Sequence, residues 1–243
     1  MRWLSSSRCL LPWPKGPSKG YILGQGGFLQ LITIYVARHG ETTWNAEGKI
    51  QGRSDPELSP KGVAQSLALC ERLKDRPISA IYTSTLRRSF LTARPLAELL
   101  NVPIQKVPEL DEIAFGILEG RSLWDGDGLV RAEIDRYKED RLRYRIPGGE
   151  TYLDVSNRVR PFVEILLQRH DGQEVLVVGH RGVNRMLLGW LLELGPERAV
   201  RIEQTNDCIY IVRRNGEPKV FYNIDGASGE GLLYVEPLES HGP

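Results

Sequence analysis

Cysteine is scarce in this sequence: only Cys9, Cys70 and Cys208 occur among 243 residues. Their number is odd, they lie far apart, and none of them forms a CxxC pair, which argues against a disulfide framework and against a zinc site. We therefore expect a protein of the reducing cytoplasm that binds no metal ion.

An excess of charge of either sign is also absent. Lys and Arg total 32 against 31 for Asp and Glu, so the overall charge gives no reason to expect nucleic acid or an anionic membrane as a partner. No apolar run approaches the roughly 18 residues that a membrane helix requires. The sequence therefore predicts a soluble protein, and it leaves open whether the chain forms a homodimer.

Regular hydrophobic patterns are absent from residues 1–30, which are rich in Pro, Gly and Ser. We expect a flexible N-terminal extension there, followed by one domain over residues 31–243. A secretory signal is one alternative, disfavoured because the apolar stretch is too short and no cleavage site follows it. As a second alternative, the native chain could begin near Leu29–Leu31, since methionine is rare in the sequence.

Two β-branched apolar runs predict buried strands of a parallel sheet. The first, LITIYVAR, begins at Leu31 and leads directly into His39, and the second, EVLVVG, leads into His180. A shorter strand is predicted over residues 79–84, and a terminal β-hairpin around Asn215-Gly216. Ligands bind at the carboxyl ends of parallel strands, so the two histidines mark the place where a site is expected.

Helices are predicted to alternate with these strands. Ser59 and Pro60 are typical of an N-cap and a first helical residue. The apolar stripe of that helix, predicted to face the sheet, consists of Val63, Leu67, Cys70 and Leu73. A second helix is expected to bend at Pro95, and Thr151 with Asp154 resembles the capping box of a third. The pattern predicts an α/β fold, a three-layer α/β/α sandwich around a mostly parallel central sheet.

Two of the four histidines, His39 and His180, stand beside an arginine and a glycine at the ends of the two buried strands. A single imidazole there would more often hydrogen-bond within a turn, but two at converging strand ends weaken that interpretation. A neutral imidazole attacks phosphorus well when its other ring nitrogen is held by an acceptor and nearby cations bind the anion. The pattern favours phosphoryl chemistry.

The segment ARHGETTWN resembles the signature of the histidine phosphatase superfamily, the phosphoglycerate mutase-like proteins. Five further segments resemble that family in the same order: IQGRSDPELSPKG, STLRRSFLTA, PELDEIAFGILEG, GGETYLDVSNRV and VVGHRGVNR. Six ordered segments from about Thr33 to Asn223 are far more specific than a lone Arg-His-Gly. The resemblance implies a phosphoglycerate mutase-like fold, nearest to the alpha-ribazole phosphatase and broad-specificity phosphatase branch.

The resemblance also implies catalytic roles. His39 is expected to be the nucleophile that becomes a phosphohistidine, while Arg38 and Arg88 clamp the non-bridging oxygens through their planar guanidinium groups. His180 is expected to donate a hydrogen bond to the phosphoryl oxygens. The main contribution of a protein to phosphoryl transfer is to neutralise the negative charge of the phosphoryl group, and these residues can do so.

A departing alkoxide needs a proton, and one loop offers the acidic candidates Glu109, Asp111, Glu112 and Glu119. In the family pattern L-x-E-x-x-F-G, the residue three before Phe115 is Glu112, which we therefore expect to be the general acid. The alternative for Glu112 is a solvated surface role.

Further phosphate or substrate contacts are expected from Asn45, Thr42, Gln51, Gly52 and Arg181. Asn45 and Thr42 could instead bond the local backbone and cap a turn. Arg181 stands where many relatives have glycine, so its side chain must either point away from the phosphate or supplement the clamp.

An insertion over residues 121–149 is expected, from the resemblance, to cover the pocket as a lid and to select the leaving group. Trp124, Tyr137, Tyr144 and several arginines would suit an anionic or ring-bearing substrate. The alternative is a solvated helix in which acidic residues pair with the arginines at helical spacing.

We therefore expect a metal-free and cofactor-free phosphatase of the histidine acid phosphatase type, which hydrolyses a small phosphorylated metabolite through a phosphohistidine. A cofactor-dependent phosphoglycerate mutase is disfavoured because the loop IQGRSDPELS lacks a Thr-Gly-Trp run and the lid is short. A catalytically silent phospholigand-binding module is the other alternative. It predicts the loss of a catalytic residue, whereas all five are present.

Overall fold

Seven strands form one sheet in the computed structural model, which describes residues 31–122, 126–225 and 227–234. The predicted N-terminal extension and Trp124 lie outside the described residues. The strands are β1 (Ile32–Arg38), β2 (Ile78–Thr83), β3 (Ile104–Lys106), β4 (Glu174–Gly179), β5 (Ile209–Arg214), β6 (Lys219–Ile224) and β7 (Ala227–Glu230). In the order β3-β2-β4-β1-β5-β6-β7, the strands from β3 to β1 are parallel and the last three are antiparallel.

Helices cover both faces of this sheet. They are α1 (Thr43–Ala46), α2 (Pro60–Leu73), α3 (Arg87–Leu100), α4 (Gly128–Glu139), α5 (Tyr152–Arg169), α6 (Arg181–Leu191) and α7 (Pro196–Ala199), with short 3₁₀ turns at Pro108–Leu110 and Gly116–Leu118. Helices α2 and α3 pack on one face, and α5 and α6 pack on the other. The predicted three-layer α/β/α fold with a parallel centre is confirmed.

Residues of β1 alternate between two hydrophobic cores, because successive side chains of a strand point to opposite faces. Tyr35 and Ala37 belong to the core beneath α2 and α3, whereas Ile34 and Val36 belong to the core beneath α5 and α6. Strand β4 alternates in the same way. Both faces of the central strands are therefore buried, which is why their sequences are uninterrupted apolar runs.

Two predicted helix starts are confirmed. The Ser59 hydroxyl accepts a hydrogen bond from the Gly62 N–H at 3.1 Å, with Pro60 as the first residue of α2. At the start of α5, the Thr151 hydroxyl accepts from the Asp154 N–H, and the Asp154 carboxylate accepts from the Thr151 N–H. These caps satisfy backbone donors that have no partner within a helix.

The predicted apolar stripe of α2 is wrong at two positions. Val63 and Leu67 are 50% and 55% exposed. The buried face instead consists of Gly62, Ser66, Leu69, Cys70 and Leu73. The reason is a close backbone contact, since a Cβ on Gly62 would lie 1.9 Å from the Glu41 carbonyl oxygen. Helix α2 therefore turns its glycine towards the loop after β1, which rotates Val63 and Leu67 outwards.

Helix α3 continues through Pro95 and ends at Leu100, where Asn101 adopts a left-handed conformation with φ of 54°. The predicted C-terminal hairpin is formed by β5 and β6, and β7 adds a further antiparallel strand that the sequence did not indicate. No helix in the described part of the chain combines the length and the apolar character that crossing a membrane requires.

The segment between α3 and α5 forms a small apolar cluster of its own. Its buried members are Leu118, Val130, Ile134 and Ile146. On α4, Arg136 pairs with Glu133 at 2.8 Å and Lys138 with Asp135 at 3.8 Å. The alternative of a helix with paired charges thus holds in part, while Ile134, Tyr137 and Lys138 of the same helix line the cleft.

Candidate active site

His39 and His180 lie side by side because they follow neighbouring strands. Strands β1 and β4 pair in parallel up to Arg38 and Gly179, and the His39 N–H donates to the Gly179 carbonyl at 3.0 Å. The two imidazole ring centroids are 5.0 Å apart. The expected convergence of the two strand ends is therefore present in the structure.

His39 presents one ring nitrogen to the cleft in the form that a nucleophile needs. Its Nδ1 lies 2.7 Å from the Gly40 carbonyl oxygen, which can only accept, so Nδ1 carries the proton and Nε2 keeps its lone pair. Burial, then the Arg88 and Arg38 cations, lower the pKa of His39 well below its ordinary value. The imidazole is thus neutral at physiological pH.

Amide side chains from distant segments hold the end of β1 in place. Asn184 donates to the Ala37 carbonyl at 3.0 Å, and Gln204 donates to the Val36 carbonyl at 2.8 Å. Asn206 donates to the carbonyl of His39 itself at 2.6 Å. None of the three amides was expected from the sequence: Asn184 lies in the family-like segment VVGHRGVNR without a predicted role, and Gln204 and Asn206 lie in no quoted segment.

Arg88 is buried, and its guanidinium is held on several sides. Its Nη2 donates to the Gly52 carbonyl at 2.7 Å, and its Nη1 donates to the Ser54 carbonyl at 2.5 Å. The Asp55 carboxylate accepts from Arg88 Nη1 and also from the backbone N–H groups of Arg87 and Arg88, where Leu86 offers no side-chain cap to α3. Asp55 therefore fixes both the helix start and the arginine that it carries.

Gly52 is required by the geometry of this loop. Its φ is +55°, and a Cβ there would lie 2.0 Å from Oε1 of Glu119. Glu119 in turn accepts hydrogen bonds from the N–H groups of Arg53, Ser54 and Phe115. The Gly52 carbonyl orients Arg88 at the wall of the cleft, while a direct substrate contact of Gly52 stays a prediction.

Arg38 lines the cleft with a guanidinium that forms no ion pair with any described residue. Its Nη1 donates to the Gln204 carbonyl at 3.3 Å, and its Nε has no partner among the described residues. Burial, followed by the nearby Arg181 cation, lowers the pKa of Arg38 to about 10, so that it stays charged. A half-buried cation with unused donors is suited to bind an anion.

Glu112 is the one described carboxylate that lines the cleft. Its Oε1 accepts from the Val183 N–H at 3.0 Å and from the Ile113 N–H at 2.9 Å, and its Oε2 accepts from the Gly182 N–H at 3.1 Å. Of the rival acids, Asp111 accepts hydrogen bonds from Thr85 outside the cleft. The placement favours Glu112 as the acid over Glu109, Asp111 and Glu119.

The remaining predicted contacts divide into two groups. Asn45, Gln51, Gly52 and Arg181 line the cleft. Thr42 does not, because its buried hydroxyl caps α1 and accepts from the Asn45 N–H at 3.1 Å. Arg181 also donates to Glu203 at 2.5 Å, so its side chain is shared between the cleft rim and that carboxylate.

His180 is fully buried behind Arg88 and does not line the cleft. Its Nδ1 accepts from Arg88 Nε at 3.2 Å, and its Nε2 lies 2.7 Å from the Ser84 hydroxyl. The structure thus brings His180 to the clamp, while direct donation to a phosphoryl oxygen stays a prediction.

The cleft has a volume of about 320 Å³ and an excess of positive charge. Its basic residues are Arg38, Lys49, Arg88, Lys138, Arg141, Arg181 and Arg185. Phe115, Ile134 and Tyr137 supply an apolar wall from the inserted segment. No group of three or more His, Cys, Asp or Glu residues suited to hold a metal ion occurs in the described ranges. The arrangement is suited to bind a small, strongly anionic molecule beside a histidine nucleophile.

Comparison with known proteins agrees with this geometry. The sequence model of the histidine phosphatase superfamily (branch 1) matches residues 34–224, and the chain belongs to that superfamily. The predicted family and the predicted phosphatase class are thereby confirmed.

Particular relatives carry phosphatase and mutase names. The chain is 35% identical over 213 residues to phosphoserine phosphatase 1 of Hydrogenobacter thermophilus, covering 85% of this chain and 98% of the relative. It is 37% identical over 164 residues to phosphoglycerate mutase-like protein 4 of Arabidopsis thaliana, covering 63% and 68%. The alpha-ribazole phosphatase structure from Shigella flexneri matches with a TM-score of 0.70 and 25% identity, covering 84% and 96%.

Proposed function

We propose that the chain hydrolyses a small phosphomonoester in two steps through a phosphohistidine at His39. The observation that carries the proposal is a neutral His39 with a free Nε2 lone pair, in one cleft with the Arg38 and Arg88 cations. Nucleophile and cations are the two elements that phosphoryl transfer requires of a protein.

In the first step, the lone pair of His39 Nε2 attacks phosphorus and forms the P–N bond while the P–O bond to the leaving group breaks. Glu112 gives its proton to the departing oxygen. In the second step, Glu112 takes a proton from water, whose oxygen attacks phosphorus and breaks the P–N bond. Inorganic phosphate leaves, and His39 and Glu112 return to their starting states.

The test measures where the phosphoryl group goes. We expect ³¹P NMR to show stoichiometric release of inorganic phosphate, and rapid alkaline quenching to trap an acid-labile phosphoryl group on His39. His39→Ala should abolish both signals for every substrate, because the atom that bonds to phosphorus is gone. Positional isomerisation of a hydroxy-acid phosphate without phosphate release would instead indicate a mutase, and binding without either reaction would indicate a silent phospholigand-binding module.

We further propose that the leaving group carries an acidic group such as a carboxylate. One relative is named a phosphoserine phosphatase, and the leaving group of phosphoserine is serine, which has a carboxylate. Beyond the clamp, Lys49, Lys138 and Arg141 line the cleft, and of these Lys49 pairs with Glu47 and Lys138 with Asp135. Arg141 lies 5.9 Å from the Tyr137 ring centroid and forms no ion pair with a described residue. A carboxylate or second phosphate on the substrate would complement these cations.

A matched pair of variants tests this choice. Arg141 and Arg143 follow α4 two residues apart, but Arg143 pairs with Asp140 and Glu197 and does not line the cleft. Arg141→Gln should lower kcat/KM for O-phosphoserine by roughly tenfold, the value of one charge-assisted contact, and leave O-phosphoethanolamine nearly unchanged. Arg143→Gln should change neither. Equal losses on both substrates would show that the carboxylate is not what Arg141 binds.

Three finer points are also part of the proposal. We place the enzyme in the cytoplasm, in keeping with the free and buried Cys70 and Cys208. Hydrolysis of the histidine acid phosphatase type proceeds without a metal ion, because arginines already neutralise the phosphoryl charge.

The third point is the oligomeric state. A homodimer is one possible state of the chain, and a sedimentation measurement would distinguish it from a monomer.

A further inference from the structure

A largely buried ion pair outside the cleft holds the loop that carries Glu112. Arg158 of α5 donates from Nε to Glu150 at 3.0 Å, and each of the two side chains is 19% exposed. Arg158 also donates to three backbone carbonyls of the loop: from Nη1 to Glu109 at 2.5 Å, and from Nη2 to Asp111 at 2.7 Å and to Glu112 at 3.3 Å. Neither member of the pair lines the cleft, and no step of the proposed reaction uses them.

Two of these carbonyls belong to the peptide groups on either side of the Glu112 Cα. Because a peptide group is planar, holding both of them leaves little freedom to the Cα of Glu112 and to the direction of its side chain. Glu150 acts on the same stretch, since it accepts from the Ala114 N–H at 2.9 Å and its own N–H donates to the Ala114 carbonyl at 2.9 Å. One ion pair thus fixes the backbone before and after the proposed general acid.

The chemistry of the pair explains why an arginine is needed there. Burial would raise the pKa of Glu150, but the hydrogen bond and the charge of Arg158, with the Ala114 N–H and the Arg53 cation, lower it, so the carboxylate stays ionised. Arg158 reaches the carboxylate and three carbonyls at once because its guanidinium is a planar fork with five N–H groups. A lysine keeps the charge, but its three N–H groups lie on a single nitrogen and cannot form this set of bonds.

The carboxylate of Glu112 meets a second fixed element, the start of α6. Gly182 and Val183 lie in the first turn of that helix, where N–H groups have no acceptor within the helix. They donate to Oε2 and Oε1 of Glu112 at 3.1 and 3.0 Å. The fit is close, because a Cβ on Gly182 would lie 2.5 Å from Oε1 of Glu112. A small movement of the loop would therefore separate the carboxylate from both amides.

We infer that Arg158 and Glu150 are positioning residues that hold the Glu112 carboxylate against the start of α6, at the place from which it protonates the leaving group. The protonation rests on the proposed function. The position of the carboxylate does not, and it is measured separately.

The first measurement needs no substrate. It is the hydrogen–deuterium exchange of single backbone amides, followed by NMR in the full-length protein. In Arg158→Lys, the Gly182 and Val183 amides should exchange roughly tenfold faster, as for the loss of one hydrogen bond to a charged group. The Asn184 amide, which donates to the His180 carbonyl at 2.9 Å, should keep its rate. Unchanged exchange at both of the first two amides would overturn the inference.

The second measurement shows whether this position matters for proton transfer. Arg158→Lys should lower kcat for O-phosphoserine roughly 10–100-fold, because moving a catalytic group by about 1 Å has a cost of that order. The burst of p-nitrophenol from p-nitrophenyl phosphate should keep its rate, since that leaving group departs without a proton. Added to Glu112→Gln, the same substitution should lower the O-phosphoserine rate by less than about twofold more, because the proton that it positions is already gone.

Arg160→Lys is the matched control. Arg160 lies on the same helix and is paired with Glu164 at 2.9 Å, and its other described contact is with the Trp190 ring, away from the loop. The control should leave amide exchange and both substrates unchanged. Glu150→Gln is a second test, because it keeps the size of the side chain but removes the charge that Arg158 pairs with. It should produce the same two effects as Arg158→Lys.

The outcomes separate the two proposals. If Arg158→Lys behaves like Arg160→Lys, or if its loss is equal on both substrates and adds in full to that of Glu112→Gln, the inference is wrong. If Arg158→Lys speeds exchange at the two α6 amides but no form of the protein releases phosphate, the proposed function fails and the positioning of the carboxylate stands. Should Arg158→Lys fail to fold, as its amide spectrum would reveal, Glu150→Gln decides the matter in the same measurements.

Discussion

Replacing Glu112 with Gln isolates the proton that the proposed general acid supplies. The Glu112 carboxylate accepts backbone N–H bonds from Val183 and Ile113 through Oε1 and from Gly182 through Oε2. A glutamine keeps the shape and one acceptor oxygen. It also turns an amide group towards the Gly182 N–H, which then loses its acceptor.

Two effects of different size follow from that geometry. One buried N–H without a partner costs about 1–3 kcal/mol of stability, so Glu112→Gln should melt at a lower temperature yet stay folded. Loss of proton transfer costs about 10²–10⁴-fold in rate when the leaving group is a basic alkoxide. The second loss should depend on the leaving group, whereas the first should not.

Pre-steady-state mixing separates the two half-reactions. With p-nitrophenyl phosphate, whose phenolate departs without a proton, Glu112→Gln should give a fast burst of p-nitrophenol and then a slow phase, because water is no longer activated. With O-phosphoserine, the first step itself should be slow. Glu109→Gln is the control, since it makes the same chemical change in the same loop outside the cleft. Equal, burst-free defects of Glu112→Gln on both substrates would refute its role as the acid.

Two other predictions concern the same site. The lowered pKa of His39 keeps its Nε2 lone pair free as the pH falls, so the acidic loss of kcat/KM should set in below the usual histidine pKa of about 6.5; a midpoint at or above that value would contradict a depressed His39 pKa. Excess chelator should leave the rate intact, because Arg38 and Arg88 supply the positive charge; inactivation by EDTA with recovery on adding magnesium would contradict metal independence.

Patterns within short segments determined much of this protein. The apolar runs of β1 and β4 predicted buried parallel strands, and Ser59-Pro60 and Thr151 with Asp154 predicted where two helices begin. Such signals depend on neighbouring residues only, since strand periodicity and capping act over a few positions. The placement of His39 at a strand end followed from the same local reasoning.

The tertiary structure alone decided which residues meet across long stretches of chain. Val63 and Leu67 face outwards because Gly62 touches the backbone of Glu41, a contact that the spacing of apolar residues does not encode. The family pattern singled out Glu112 among four acidic residues of one loop, but only the fold brings the N–H groups at the start of α6 to its carboxylate.

The residues around the phosphate clamp likewise divide into those that the sequence predicted and those that only the fold brought together. Arg88 was predictable from its motif, but Asp55 and the Gly52 carbonyl, which hold its guanidinium, come from a loop more than 30 residues earlier in the chain. His180 was predictable as a histidine at a strand end, yet its contacts with Arg88 and Ser84 form only in the folded chain. Hydrogen-bond direction is set by the complete group of partners around a buried side chain, and that group exists only once distant segments have packed together.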